Sequence, residues 1–445
     1  MPSRQSIARA LAEVFAAGSF DADDLVERGT RLFTRHSEWL KPLAQRVADA
    51  YSTGTRPRRI TIEKFLLADR GFARACQKHD LRFSDEVVGS FTMSPVDSAR
   101  AWDVHPINSS GELASWLGLT IGELDWFADR KRLGYKQHRP KLSHYRYRTL
   151  MKKFGQVRLI EAPKPRLKAI QHRILTEILD AVPPHPSAHG FRRGRSIVSF
   201  AEPHVGKRVV IKLDLQDFFP TIPVAQVQAL FRTIGYPETV ADLLAGLCIN
   251  STPVEVWSED RSSSLDDHFH PPVRMYAQPH LPQGAPTSPA LANLCAYRLD
   301  CRLTGLANAV DAIYTRYADD LAFSGDGYLE LVARRFPIHA SSIAMEEGFR
   351  VHHRKTRIMR QGVRQSIAGV VVNQSTNVRR ADYDRLKATL TNCIRHGAES
   401  QNRNDYENFR SHLEGRISFV EMLNPAKGRR LRSLWEQIEW LNRTG

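Results

Sequence analysis

The chain has 445 residues, 42% of them hydrophobic and 25% charged, a balance that excludes a disordered polyelectrolyte and allows two or three folded domains. No apolar run approaches the roughly 20 residues of a membrane-spanning helix, and the start of the chain lacks the basic-then-apolar pattern of a signal peptide, so neither insertion nor export is expected. The formal net charge of +16 implies a polyanionic partner, and nucleic acid suits it. The excess is uneven: residues 350–445 hold 19 Lys and Arg against nine Asp and Glu, +10 of the +16. The five cysteines, Cys76, Cys248, Cys295, Cys301 and Cys393, form no CxxC pair. Their odd number argues against a disulfide framework and for a reducing cytoplasm.

Along the chain, residues 1 to about 100 space their apolar positions as helices do and carry no chemical motif, so a helical domain is expected over 1–105. Pro57 and Gly71 punctuate it, and a stretch rich in Ser and Pro near 90–110 reads as a linker. Leu113 to Arg132 reads as helical, with Trp116, Leu117, Leu124 and Trp126 as packing anchors. The run from His144 through Arg158 to Pro163 alternates as a strand with an exposed cation and is followed by a helix over Leu167 to Leu179. Ala188 to Ile197 combines turn glycines with three arginines, a pattern that allows close approach to a phosphate backbone. Ile211 to Phe219 reads as a buried strand carrying Asp214. The segment between Asn250 and Pro282 is polar and reads as a surface loop. Leu281 to Pro289 is a breaker-rich loop before a helix over Ala290 to Leu299. From Ala381 to Leu441 the pattern is helical again.

The chemistry concentrates in Tyr317-Ala318-Asp319-Asp320-Leu321, which lies between two apolar runs that read as short strands. Adjacent carboxylates at a hairpin tip repel unless a cation sits there. Because neighbouring side chains on a strand point to opposite faces, a third carboxylate has to come from elsewhere, and Asp214 is the candidate. Hard divalent ions take oxygen ligands and share them with phosphates, and two ions about 4 Å apart activate an attacking hydroxyl while stabilising the leaving oxygen. Nucleotidyl transfer assisted by a Mg²⁺ pair is the indicated reaction.

The Asp214 strand, the run Gln283-Gly284-Ala285-Pro286-Thr287-Ser288-Pro289 and the YADDL run resemble the motifs of a reverse transcriptase, in the family's order. The resemblance covers about 145–445. It implies an α+β fold of right-hand polymerase form, with fingers and an antiparallel palm sheet over 106–375 and a basic, RNA-binding helical thumb over 376–445, preceded by the helical N-terminal domain. It implies metal ligation by Asp214, Asp319, Asp320 and the carbonyl of Leu215. Arg158 corresponds to the fingers arginine on the incoming triphosphate, suited to phosphate by its forked donors; a surface salt bridge is the plainer reading. Phe219 corresponds to the ring beneath the sugar that excludes a ribose 2′-hydroxyl, with Phe218 in the core, so the substrates would be dNTPs. Gln283 and Gly284 correspond to the loop against the nascent base pair. Lys355 corresponds to the residue that protonates pyrophosphate, and a plain phosphate contact is the other reading.

Within the family the chain looks most like the bacterial retron type. The N-A-x-x-H signature stands here as Phe200-Ala201-Glu202-Pro203-His204 and the V-T-G signature as Ile367-Ala368-Gly369, so each is partly kept. The retron resemblance implies a cognate structured non-coding RNA as template and primer, an RNA-DNA hybrid with a branched product, an effector protein as a possible partner and a role in antiphage defence. Another type of bacterial reverse transcriptase and a catalytically idle RNA-binding scaffold are the alternatives.

Overall fold

A computed structural model of the chain describes residues 3–16, 20–33, 38–51, 57–79, 81, 93–136, 143–151, 157–259 and 273–440. It divides into two compact units, 1–92 and 93–445. The first unit is helical, with helices Arg4–Ala16, Ala22–Thr30, Leu40–Tyr51, Arg59–Ala68 and Arg70–Lys78. Their apolar stripes meet in one core that contains Leu11, Phe15, Leu25, Leu43, Ile62, Leu66 and Phe72. Asp69 does two jobs there: it accepts from the backbone N–H of Phe72, capping the last helix, and takes both forks of Arg46 at 2.8 and 2.9 Å.

Residues 93–105, placed by composition in the N-terminal domain and its linker, belong to the second unit. Ser94 N–H donates to the Gly235 carbonyl at 2.9 Å, and Trp102 and Val104 pack on the main core. A polar stretch held by backbone hydrogen bonds reads as a linker because its anchors lie over a hundred residues away. The single helix expected over 113–132 is two, Ser110–Leu117 and Ile121–Ala128. Gly118 closes the first in the left-handed conformation, and a Thr120–Glu123 capping box opens the second. That break turns Trp126 outward, 46% exposed against the His144 ring, so it is not the packing anchor expected.

Strands β1 (Tyr145–Met151) and β2 (Val157–Pro163) form an antiparallel hairpin, in which Val157, Leu159, Glu161 and Pro163 face inward and Arg158 faces solvent. The main sheet consists of β3 (Val209–Gln216), β4 (Ile313–Tyr317), β5 (Asp320–Gly325), β6 (Arg350–Val351) and β7 (Arg357–Arg360). Its order is β4-β5-β3-β6, with β7 also on β3, and every pairing is antiparallel. The two-residue alternation of β3 sorts its side chains. Val209, Ile211, Leu213 and Leu215 face a layer of helices that includes Val224–Ile234, Glu238–Cys248, Tyr297–Asn308 and Phe336–Glu346, while Val210, Lys212 and Asp214 face the other way. On β5, Leu321 and Phe323 join the helical layer and Asp320, Ala322 and Ser324 take the opposite face.

On that second face a smaller core gathers Phe200, Val210, Ala322 and Met359 with the tight hairpin β8 (Ser366–Ile367) and β9 (Val370–Val371). Helices Arg380–His396, Phe409–Leu423 and Pro425–Glu436 bury Leu386, Leu390, Leu413, Ile417 and Leu431 in it. The polar 250–282 segment is not simply a surface loop. Its described ends bury Thr252, Val256, Trp257, Tyr276 and His280, several of them against Val157 and Leu159 of β2. The Asp260, Arg261 and Ser262–Ser264 part of that segment lies outside the described residues. Among the described residues no helix is long and apolar enough to cross a membrane.

Behind β4 lies a wholly buried ion pair. Arg316 Nη2 and Nε donate to the two oxygens of Asp300 at 2.6 and 2.8 Å, Nη1 donates to Asn293 Oδ1 at 2.9 Å, and Tyr314 OH completes the shell of Asp300 at 2.8 Å. Removing one member leaves an unpaired interior charge. Arg316→Met is therefore expected to lower the unfolding free energy by about 3–5 kcal/mol, measured by denaturant titration, whereas losing the exposed Arg31–Glu27 pair should change it by less than about 1 kcal/mol.

Candidate active site

The register of the main sheet sets Asp214 directly opposite Asp320, on the face away from the helical layer. Asp319 occupies the two-residue turn that joins β4 to β5, after Ala318, whose φ is 55°. An alanine in the left-handed region costs free energy and persists only where its surroundings fix it. Three contacts do so: Arg316 Nη1 donates to the Ala318 carbonyl at 3.2 Å, Leu215 N–H donates to the Asp319 carbonyl at 2.8 Å, and Gly190 lies against the Ala318 amide. A Cβ built on Gly190 would stand 2.6 Å from Ala318 N. Gly190 is seated in turn by its carbonyl, which accepts from Asn293 Nδ2 at 2.7 Å. The glycine-arginine run and the acidic turn, separate motifs in the sequence, are thus one piece of structure.

The electrostatics follow from crowding. Burial pushes the Asp319 carboxyl above its ordinary range, and the negative charges of Asp320 and Asp214 push it further. Burial also raises Asp320, against the pull of Lys212. Lys212 Nζ stands 2.6 Å from Asp320 Oδ1 as an ion pair. Lys355 Nζ bridges both oxygens of Asp214 at 3.1 and 2.9 Å. Asp319 has no ion-pair partner among the described residues. No three metal-ligating side chains stand ready in coordinating geometry among the described residues, with two of the three carboxylates holding a lysine. Even so, the donors fit a hard divalent cation: Asp214 and Asp320 are opposed on one face of the sheet and Asp319 lies beside them in the turn, an all-carboxylate set in one place.

The remaining expected residues distribute as follows. Leu215 turns its backbone N–H to the Asp319 turn, and because a strand residue's N–H and C=O leave on the same edge, its carbonyl points there too. Phe218 is buried against Phe349, while Phe219 is only half-buried beside Phe191 at 6.0 Å. Gln283 is half-buried and its carbonyl accepts from Glu161 N–H at 2.8 Å. Gly284 has φ 131° and lies against the Glu161 backbone, so that a Cβ there would meet the Glu161 carbonyl at 3.0 Å. Arg158 extends into solvent from β2.

Two residues that sequence reasoning passed over, Phe191 and Arg316, and one it named only within a signature, His204, complete the site. Phe191, 49% exposed with φ 57°, joins Phe219 and Tyr317 in an aromatic group beside the turn. Arg316 sits one residue before the YADDL run, where a charged residue in a strand reads as solvent-facing. His204, the retained histidine of the N-A-x-x-H phrase, is fully buried between Ser324 Oγ at 2.6 Å and Thr315 Oγ1 at 2.7 Å, clamping β5 to β4 behind the carboxylates. Burial pushes its pKa down to about 3, so the clamp is a neutral imidazole.

Comparison with known proteins agrees with the motifs. Residues 150–382 match the family described as reverse transcriptase (RNA-dependent DNA polymerase). The chain is 43% identical over 324 residues to the Retron Mx65 reverse transcriptase of Myxococcus xanthus, an alignment spanning 72% of this chain and 69% of that protein. It is 35% identical to the Retron Mx162 reverse transcriptase of the same organism, over 77% of this chain and 70% of the relative. To the Retron Ec86 reverse transcriptase of Escherichia coli it is 30% identical, over 66% and 81%. With the acidic turn, its opposed strand aspartate and the loop at Gln283 in one α+β fold, the chain belongs to the retron reverse transcriptases and is an RNA-directed DNA polymerase.

Proposed function

We propose that this polymerase copies part of a cognate structured non-coding RNA into DNA, using that RNA as both template and primer and leaving a branched RNA-DNA product. The observation that carries the catalytic part is the pairing of Asp214 with Asp320 on one face of the sheet and the turn that sets Asp319 beside them, with Asp319 raised by burial and by the charges of Asp320 and Asp214, and Asp320 raised by burial and by Asp214. Asp214, Asp319, Asp320 and the Leu215 carbonyl would hold the Mg²⁺ pair. When bound, those ions supply Lewis-acid stabilisation of the attacking and leaving oxygens.

The chain's own residues take the other roles. Arg158 grips the triphosphate of the incoming dNTP from β2, and Gln283 and Gly284 lie against the nascent base pair. Phe219 excludes a ribose 2′-hydroxyl. Lys355 carries a proton for the pyrophosphate, its ammonium held on Asp214 at 2.9 Å. We assign residues 93–375 to fingers and palm and 376–445 to a basic thumb that tracks the RNA-DNA hybrid, with residues 1–92 a separate helical domain. An effector protein and a part in cytoplasmic antiphage defence complete the proposal, supported by kinship to retron enzymes.

Three measurements test these assignments. Primer extension with labelled dNTPs and Mg²⁺, on protein co-expressed with its flanking locus, should give DNA that shrinks after ribonuclease, and the Asp319→Ala, Asp320→Ala double variant should give none. DNA free of any RNA linkage would remove the branched product and keep the polymerase. Phe219→Val should raise ribonucleotide incorporation relative to deoxynucleotide by about tenfold or more, read by competition in single-nucleotide extension. Gly190→Ala, which forces the Ala318 turn to move, should lower the rate of extension by about 100-fold while the circular dichroism spectrum stays unchanged.

A further inference from the structure

Glu161 occupies an inward-facing position of β2 between Leu159 and Pro163, where an apolar residue would ordinarily sit. It is wholly buried, and so, to within 1%, is His280. Glu161 Oε2 lies 2.9 Å from His280 Nε2, while Oε1 accepts from Asn250 Nδ2 at 2.8 Å and from Thr252 Oγ1 at 2.7 Å. The other ring nitrogen, Nδ1, faces the Gln278 carbonyl at 2.7 Å. With Glu161 ionised, both ring nitrogens meet groups that only accept, so both carry hydrogen and His280 is an imidazolium beside a carboxylate. Burial opposes charge on each, and the partner's charge outweighs it, leaving Glu161 below its ordinary range and His280 above.

The backbone connections of the pair give it direction. Glu161 N–H donates to the Gln283 carbonyl at 2.8 Å, and Gly284 lies against the Glu161 carbonyl. His280 is bound to Asn250 by two backbone hydrogen bonds, 2.9 and 3.0 Å, and Asn250 Nδ2 also donates to Tyr147 OH of β1 at 3.1 Å. Arg158 is three residues before Glu161 on the same strand, and Gln283 is three residues after His280. A buried ion pair adds little net stability over an apolar pair, so its effect here is on geometry.

We propose that the Glu161–His280 ion pair is a positioning device that locks the Gln283–Gly284 loop to the Arg158 strand, so that the two nucleotide contacts are presented as one rigid surface. This rests on the assignment of Arg158 and Gln283 to the incoming dNTP. Neither Glu161 nor His280 touches substrate; they act through the loop and strand they join.

The test is steady-state single-nucleotide extension on a pre-annealed RNA template and DNA primer, with full-length Glu161→Gln, His280→Gln, the double variant and Arg158→Ala. The expected result is a dNTP KM raised about tenfold or more in each single variant, with kcat within about threefold and primer-template affinity unchanged. The double variant should be no worse than either single one, because both break one coupling. A purely structural role would lower the active fraction, and so the apparent kcat, with KM unmoved; that outcome, or unchanged KM in both variants while Arg158→Ala raises it, overturns the proposal. If Arg158→Ala leaves the dNTP KM unmoved, the nucleotide assignment itself fails and the proposal falls with it. Should Glu161→Gln not fold, as judged by its melting curve, His280→Gln decides by the same readout.

Discussion

Among the described residues Arg316 is the largest side chain wholly withdrawn from solvent, and the site depends on where its N–H donors go. Two are taken by Asp300, which tethers β4 to the helix behind it. Others reach Asn293 and the carbonyl of Ala318, the residue held at positive φ immediately before Asp319. Its own backbone is used as well: Arg316 N–H donates to Ser187 at 2.7 Å and its carbonyl accepts from His189 at 2.8 Å, bringing the Gly190 run alongside the turn. One guanidinium therefore sets the height of the acidic turn above the sheet. A lysine could pair with Asp300 but lacks the planar fork that serves carboxylate, amide and carbonyl together.

With the turn fixed, the charge pattern around it is intelligible. Two lysines meet two of the three carboxylates, Lys212 from the same face of β3 and Lys355 from the segment after β6. His352 N–H donates to the Asp214 carbonyl at 2.7 Å, so the segment that carries Lys355 is tied to the backbone of its acidic partner. Positive charge is thereby delivered to the site by elements already paired with β3. The broader excess of Lys and Arg in the last fifth of the chain acts at longer range, favouring a polyanion without specifying it.

That Asp214, Asp319 and Asp320 lie close together was legible in the sequence because each sits in or beside a short apolar strand. The burial of Phe218 and the partial exposure of Phe219 also match the expectation that one ring faces the core and the other does not. The hidden features are pairings across long separations. Nothing near Arg316 announces Asp300, and nothing near Glu161 announces His280, 119 residues away. A buried charge has the same letter as a surface one, so both read as solvent-facing until the partner is found. Trp126 failed in the opposite sense: its aromatic character suggested core, and the overlooked Gly118 and the Thr120–Glu123 box rotate it outward. The 250–282 segment misled through its polar middle, since Trp257, Tyr276 and His280 at its ends are buried.

The two buried ion pairs share a design that their energetics make meaningful. Burying opposite charges costs desolvation that their attraction only offsets when every remaining lone pair and proton is used, and a well-packed apolar pair of similar volume commonly does as well for stability. In this chain most of the remaining groups of both pairs are used: those of Arg316–Asp300 by Asn293, Tyr314 and Ala318, and those of Glu161–His280 by Asn250, Thr252 and Gln278. In each case a loop of the site is held by backbone hydrogen bonds of the pair or its strand, the acidic turn in one and the Gln283–Gly284 loop in the other. An apolar replacement would fill the same space but could not fix the direction of a carbonyl or the seat of a glycine, because dispersion contacts have no preferred angle. Directional partners at these two points are what a site built for nucleotidyl transfer requires, where catalysis rests on holding reacting groups in place.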